Sequence, residues 1–170
     1  IAILRSIYYI QSAHIYIFLE ETNIMKICLA CSAGGHLTEL QQIMNAFSEQ
    51  RTFFVTFLRE DSKELKNAYY ITDPGRSPIY MLKAIFQSFT IMRKELPDAV
   101  FTTGAGVAVP ICYIAKLMGK KVIFLESFCR VSEPSLSGKF IYPIADLFMV
   151  QWRSMLLKYG KKAKYLGAVF

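Results

Sequence analysis

The sequence contains no GxGxxG fingerprint and no glycine loop closed by Gly-Lys-Ser/Thr. Both absences exclude function classes. A nicotinamide dehydrogenase and a P-loop nucleotidase each need glycines at those spacings to seat a pyrophosphate. A Rossmann oxidoreductase would also predict nicotinamide binding by this chain alone. There is one CxxC, made by Cys28 and Cys31, and no second pair to complete a zinc site. Both thiols lie in an apolar run with strand character, where residues three apart face opposite sides. Buried free thiols are therefore the expected state, and no metal is expected. Acidic residues are scarce, 13 against 20 lysines and arginines, giving a formal charge of +7. No Lys/Arg run is interleaved with aromatics, so nucleic acid is not an expected partner. Internal repeats and low-complexity linkers are lacking too.

What is plentiful is apolar surface. Apolar residues make up 54% of the chain and mean hydropathy is +0.31, against a usual apolar share of about 45–50%. Basic charge beside high hydropathy points to an anionic membrane surface or a diphosphate-bearing ligand. Residues 1–24 stand apart as an apolar, aromatic leader interrupted by Arg5, Gln11 and His14. They barely reach the length of a spanning helix. A weak anchor, an interfacial helix and sequence upstream of the natural start all remain open, since Met25 opens the ordered pattern.

From Met25 onward strand and helix signals alternate. Strands are expected at 25–31, 52–58, 68–72, 98–102, 121–125, 146–150 and 163–166. Helices are expected at 37–47, 59–66, 78–96, 107–118 and 137–144. That succession predicts an α/β domain over 25–170, a Rossmann-like parallel sheet flanked by helices. A nucleotide-binding second half of comparable size is not expected within it. The 78–96 helix is apolar nearly all round, with Lys83, Gln87, Arg93 and Lys94 as its main polar members. Contact with lipid headgroups or a partner, or burial between elements, would each explain that breadth.

Two glycine loops each follow a strand and open a helix: Ser32-Ala33-Gly34-Gly35-His36 and Thr103-Gly104-Ala105-Gly106. In a parallel sheet both emerge at carboxyl ends of strands, where ligands bind. Glycine permits close approach, and helix N-termini offer N–H groups to phosphate oxygens. Ser32, Gly34, Gly35, Thr103, Gly104 and Gly106 are thus the candidate diphosphate binders. Tight turns that only let helices pack are the alternative. His36 has a ring suited to proton transfer near neutral pH or to capping its own loop. Glu39 could orient that ring or favour the helix N-terminus. A third cluster places Glu126 as a candidate base or sugar-hydroxyl ligand, and Arg130 as a phosphate partner.

The phrases MKICLACSAGGHLTEL, FVTF, RKELPDAVFTTGAGVAVP, KVIFLESFCRVSEPSLSGKFIYPIADLFMVQW and KYLG, in this order, span residues 25–167. Together they resemble the acceptor subunit of the split glycosyltransferases, the oligosaccharide-biosynthesis Alg-fourteen-like family. The bacterial PssD/EpsE-like exopolysaccharide and capsule branch is the nearest in kind. The resemblance implies the N-terminal half of a GT-B glycosyltransferase that binds a polyprenyl-diphosphate-linked sugar acceptor at the cytoplasmic face of a membrane. It implies a small partner subunit, the donor-binding GT-B C-terminal half, which takes the UDP-sugar. An inverting transfer with no cofactor and no metal is the expected reaction. In the related one-chain transferase of peptidoglycan synthesis the GGH loop lies at the acceptor diphosphate and its histidine is a proposed base. Gly34, Gly35 and His36 match that loop, and Gly104 and Gly106 match its second glycine loop. Glu126 matches an acidic position as a second catalytic candidate. Eukaryotic members carry a clear N-terminal membrane helix, which the leader with Arg5 does not reproduce. A non-catalytic scaffold that recruits the partner to the membrane is the alternative.

Overall fold

The computed structural model describes residues 24–170, so the leader, apart from its last residue, lies outside the described residues. The strands are β1 (Lys26–Cys31), β2 (Arg51–Thr56), β3 (Ala68–Tyr70), β4 (Ala99–Gly104), β5 (Lys121–Leu125), β6 (Leu147–Val150) and β7 (Ala163–Tyr165). The helices are α1 (Gly35–Gln42), α2 (Pro78–Glu95), α3 (Ala108–Leu117), α4 (Leu136–Ile141) and α5 (Ser154–Tyr159). All strands pair in parallel, in the order β3-β2-β1-β4-β5-β6-β7. Chain order reverses between β1 and β4, so the crevice at the carboxyl ends of those two strands is the switch point of a doubly wound sheet.

The sheet is covered on both faces, which explains why its central strands read as unbroken apolar runs. One face buries Cys28, Ala30, Val100, Phe124 and Phe148 beneath α2, α3, α4 and α5. The other buries Ile27, Leu29, Cys31, Phe101 and Ile123 beneath α1 and the following 3-10 turn, Met44–Phe47. Cys28 and Cys31 fall on opposite faces, as their spacing requires, and all four cysteines are free.

Sequence and structure differ in places. The helix expected over 37–47 ends at Gln42, because the chain tightens at Ile43 into the 3-10 turn. The helix expected over 59–66 is only a 3-10 turn at Glu60–Ser62, where the Ser62 hydroxyl bonds the Arg59 backbone N–H and caps it at once. Thr103 and Gly104 end β4 rather than opening a loop. Helix α5 went unread, being six residues without a readable period.

Helix α2 starts on Ser77 as N-cap with Pro78 just inside, and stops at Leu96 in the left-handed region before Pro97. Its sheet-facing stripe buries Ala84, Ser88, Ile91 and Met92. Its other side exposes Ile79, Tyr80, Leu82, Phe86 and Phe89, with Phe86 72% accessible. Burial between elements is therefore not the reason for its apolar breadth. Among the described residues no helix is long and apolar enough to cross a membrane.

Candidate active site

The β1–α1 and β4–α3 loops emerge side by side at the switch point. The Thr103 hydroxyl donates to the His36 carbonyl at 3.0 Å and ties one loop to the other. Gly104 takes a backbone φ of +104°, and a Cβ there would stand 3.1 Å from Ser137 Oγ and 3.6 Å from His36 Cε1. Only glycine meets both the left-handed backbone and the close approach. A cleft of about 1380 Å³ opens over this crossing, lined among others by Gly35, His36, Glu39, Gly106 and Arg130. Its lining does not include Ser32, Gly34, Thr103, Gly104 or Glu126.

Gly34, Thr103, Gly104 and Glu126 are bonded within the protein. The Gly34 N–H donates to Asp61, and the Gly104 N–H donates to Thr102 Oγ1 at 2.9 Å. The Ala105 N–H donates to Ser137 Oγ at 3.1 Å. Glu126 is fully buried, and its carboxylate accepts from the Ser127 N–H, the Ser135 N–H, the Ser135 hydroxyl and the Tyr159 hydroxyl. Ser135 Oγ in turn lies 3.3 Å from Ser137 Oγ. A continuous polar chain thus runs from Glu126 through Ser135 and Ser137 to the second glycine loop. Glu126 holds that loop's support in place and presents no free oxygen edge to the cleft.

His36 faces the cleft with Nδ1 buried and without a hydrogen-bond partner. Burial lowers its pKa, offset in part by the Thr103 backbone and the Glu126 charge, and reinforced by Arg130. The ring is therefore neutral at physiological pH and able to accept a proton. Arg76 also lines the cleft, a second guanidinium besides Arg130. Sequence reading missed Arg76, which follows a turn and carries no motif. Among the described residues, no three His, Cys, Asp or Glu side chains gather in a way that could hold a metal ion.

Glu39 is the less expected member. It lies one turn after His36 on α1 and is 2% exposed. Its Oε1 accepts from the Phe128 N–H at 2.7 Å and from the Gln151 side-chain amide. The same amide also donates to the Glu126 carbonyl, and Gln151 Oε1 accepts from the Val169 N–H. One carboxyl thus gathers α1, the 126–130 loop, the end of β6 and the C-terminal segment. Neither orienting His36 nor favouring the helix terminus describes its bonds. Burial pushes its pKa up to about 7, against the opposing pull of the Phe128, Gln151 and Ser127 hydrogen bonds.

That shift has a signed consequence. At acid pH both folded and unfolded chains hold the proton. Between the ordinary carboxyl value and about 7 the folded protein keeps a proton that the unfolded chain releases, so stability falls as pH rises. Glu39→Gln keeps an acceptor for both donors and removes the titration. Its stability relative to wild type is expected to improve by on the order of 2–3 kcal/mol between pH 5 and pH 8. Urea unfolding of both proteins across that range checks it; a difference that does not vary with pH refutes it.

Residues 62–169 match the family described as oligosaccharide biosynthesis protein Alg14 like. The chain belongs to this family. The match takes in the second glycine loop and the 126–130 loop, and begins after His36. The human UDP-N-acetylglucosamine transferase subunit ALG14 is 29% identical over 180 residues, covering 85% of this chain and 83% of its own length. The rat protein of the same name is 35% identical over 140 residues, covering 79% of this chain and 62% of its own. MurG of Acinetobacter baumannii superposes with a TM-score of 0.64 at 18% identity, over 76% of this chain and 41% of MurG. UDP-N-acetylglucosamine 2-epimerase of Rickettsia bellii gives 0.69 at 15%, over 86% of this chain and 46% of the epimerase. The chain spans less than half of either solved protein, and the likeness is one of fold. The fold of this Alg14-like chain is the Rossmann-like one expected for half of a GT-B enzyme.

Proposed function

We propose that this chain is the acceptor-binding subunit of a two-part glycosyltransferase that moves a sugar from a UDP-sugar to a polyprenyl-diphosphate-linked acceptor. The reading rests on one observation above all: a neutral histidine, the N-terminal ends of two helices and Arg130 meet at the switch point, in a cleft that Arg76 also lines and that carries an apolar stretch along α3. The names of the human and rat relatives, each a subunit of a UDP-N-acetylglucosamine transferase, support it and imply a partner chain.

In this reading the acceptor diphosphate sits at the first turns of α1 and α3. There Gly35 and Gly106 line the cleft, and helix N-termini favour anions. Arg76 and Arg130 balance its charge. The acceptor hydroxyl attacks the anomeric carbon as the bond from that carbon to the UDP oxygen breaks, and UDP leaves with the electron pair. His36 takes the hydroxyl proton. The partner, the small GT-B C-terminal half, holds the UDP-sugar. Ser32, Gly34, Thr103, Gly104 and Glu126 act as the frame of the two loops. The exposed apolar side of α2, with Lys83, Arg93 and Lys94 on the same helix, rests against the cytoplasmic bilayer surface.

The test is transfer of radiolabelled sugar from a panel of UDP-sugars to a polyprenyl-diphosphate-linked acceptor in vesicles. It is run with this chain alone and with the candidate partner, and vesicle sedimentation is scored in parallel. Activity only in the mixture, with this chain pelleting on the vesicles, is the expected result. Activity from this chain alone would put the donor site here and overturn the division of labour.

A further inference from the structure

We infer that the apolar arm of the cleft is a hydrocarbon site that takes the first isoprene units of a prenyl diphosphate, so that the acceptor is gripped by its tail as well as its head. This rests on the acceptor reading above and deepens it.

The arm follows α3. Val109, Tyr113 and Leu117, spaced by four, form one stripe along that helix and make the floor. Ile85 of α2 stands on one side, and Leu136 and Phe140 of α4 on the other. From Val109 to Leu117 this floor is about 12 Å long, at about 1.5 Å of rise per residue. The one polar atom these six side chains carry, the Tyr113 hydroxyl, donates to the Phe140 carbonyl at 3.0 Å and is already engaged. Leu117 and Leu136 are 87% and 69% accessible although they border a concave space, which leaves apolar surface in water at a cost.

The two ends of the cleft differ in chemistry. The head end has Arg130, close enough to His36 to act on its charge, and the N-termini of α1 and α3, and Arg76 adds a second positive charge to the lining; the six side chains of the arm carry no charge. An amphiphile with an anionic head matches both ends. A nucleotide alone would leave the arm bare, and a peptide would bring backbone groups the arm cannot satisfy. The volume, about 1380 Å³, exceeds the usual range of roughly 300–1,000 Å³ for compact ligands and suits one with an extended tail. The arm lies beside the exposed face of α2, so a lipid tail leaves it directly into the bilayer.

Trp152 is the sole tryptophan, and its ring lies 4.9 Å from that of Phe128, which lines the cleft. Its fluorescence reports binding without a label. The full chain, free of detergent, is titrated with inorganic diphosphate, geranyl diphosphate and geranylgeranyl diphosphate below their aggregation limits. Affinity is expected to rise on the order of tenfold or more at each extension, because each adds buried hydrocarbon. Leu117→Gln combined with Phe140→Gln alters two exposed side chains and spares the core. It is expected to flatten that length dependence and leave inorganic diphosphate binding as it was. Ile85→Trp, which fills the arm from the α2 side, does the same. Equal affinity for the three ligands overturns the inference. So does length dependence that survives both variants, which would mean adsorption on the α2 face, or equally tight binding of a fatty acid of matching length. Transfer activity with no length dependence removes this site and keeps the transferase reading. Graded binding without transfer does the reverse.

Discussion

Gly138→Ala is expected to cost about 3–5 kcal/mol of folding stability, although alanine normally favours a helix by about 1 kcal/mol over glycine. A Cβ at that position in α4 would collide with the Tyr159 hydroxyl and stand 2.6 Å from Glu126 Oε2 and 2.8 Å from Ser135 Oγ. None of the three can step aside cheaply. The Tyr159 ring is stacked on Tyr142 and tilted against Phe148. Ser135 caps α4 by accepting from the Gly138 N–H. Glu126 is buried, and displacing its partners leaves an uncompensated carboxylate. Tyr159→Phe removes the closest atom, so the double variant Gly138→Ala with Tyr159→Phe should lose less than the sum of the two single changes. Thermal or urea unfolding of the three variants reads this directly. A Gly138→Ala protein as stable as wild type would mean that the Glu126 cluster is not built this way.

His36→Ala is expected to lower kcat for sugar transfer by the assembled complex by about 10²–10⁴-fold, the usual worth of a general base. Partner binding and vesicle binding should be unaffected, because the side chain adds no hydrogen bond through Nδ1 to the frame. The tie from the Thr103 hydroxyl uses the His36 backbone carbonyl and survives the substitution, while the ring's own bond to the Thr103 backbone is lost. A pH profile sharpens the result. Since burial lowers the pKa of this ring, the base stays active to more acid pH than an ordinary histidine allows, and the acid limb falls below its usual value. Normal transfer by His36→Ala would end the base assignment and favour the scaffold reading.

The sheet was legible because its inner strands are buried on both faces. Runs such as CLAC and VIFL need no partner to be recognised, and the two glycine loops betray the switch point that the topology then places side by side. What escaped sequence reading depends on contacts far along the chain. Glu39 looks like any helix carboxylate until Gln151, 112 residues away, reaches it. Its one local sign was position: a carboxylate between the buried Leu37 and Leu40. Gly138 reads as a flaw in a helix, and its reason is Tyr159, on an element that had no readable period. Arg76 and the engaged N–H of Gly34 are likewise facts of folding: Asp61, which bonds Gly34, lies 27 residues on, in the 3-10 turn after β2. The division of the candidate residues into lining and frame lies beyond the reach of spacing, since neighbours such as Gly34 and Gly35 fall on different sides of it.

The four thiols carry a practical consequence. Cys28, Cys31 and Cys112 are buried, and burial raises the pKa of each, that of Cys31 up to about 12. Thiolate is the form that alkylating reagents attack, so these three are protected twice, by access and by protonation. Cys129 is exposed and borders the cleft. A maleimide dye or nitroxide applied to the unaltered protein therefore lands at one place, the rim of the candidate site. The chain comes with its own attachment point for watching lipid and partner arrive.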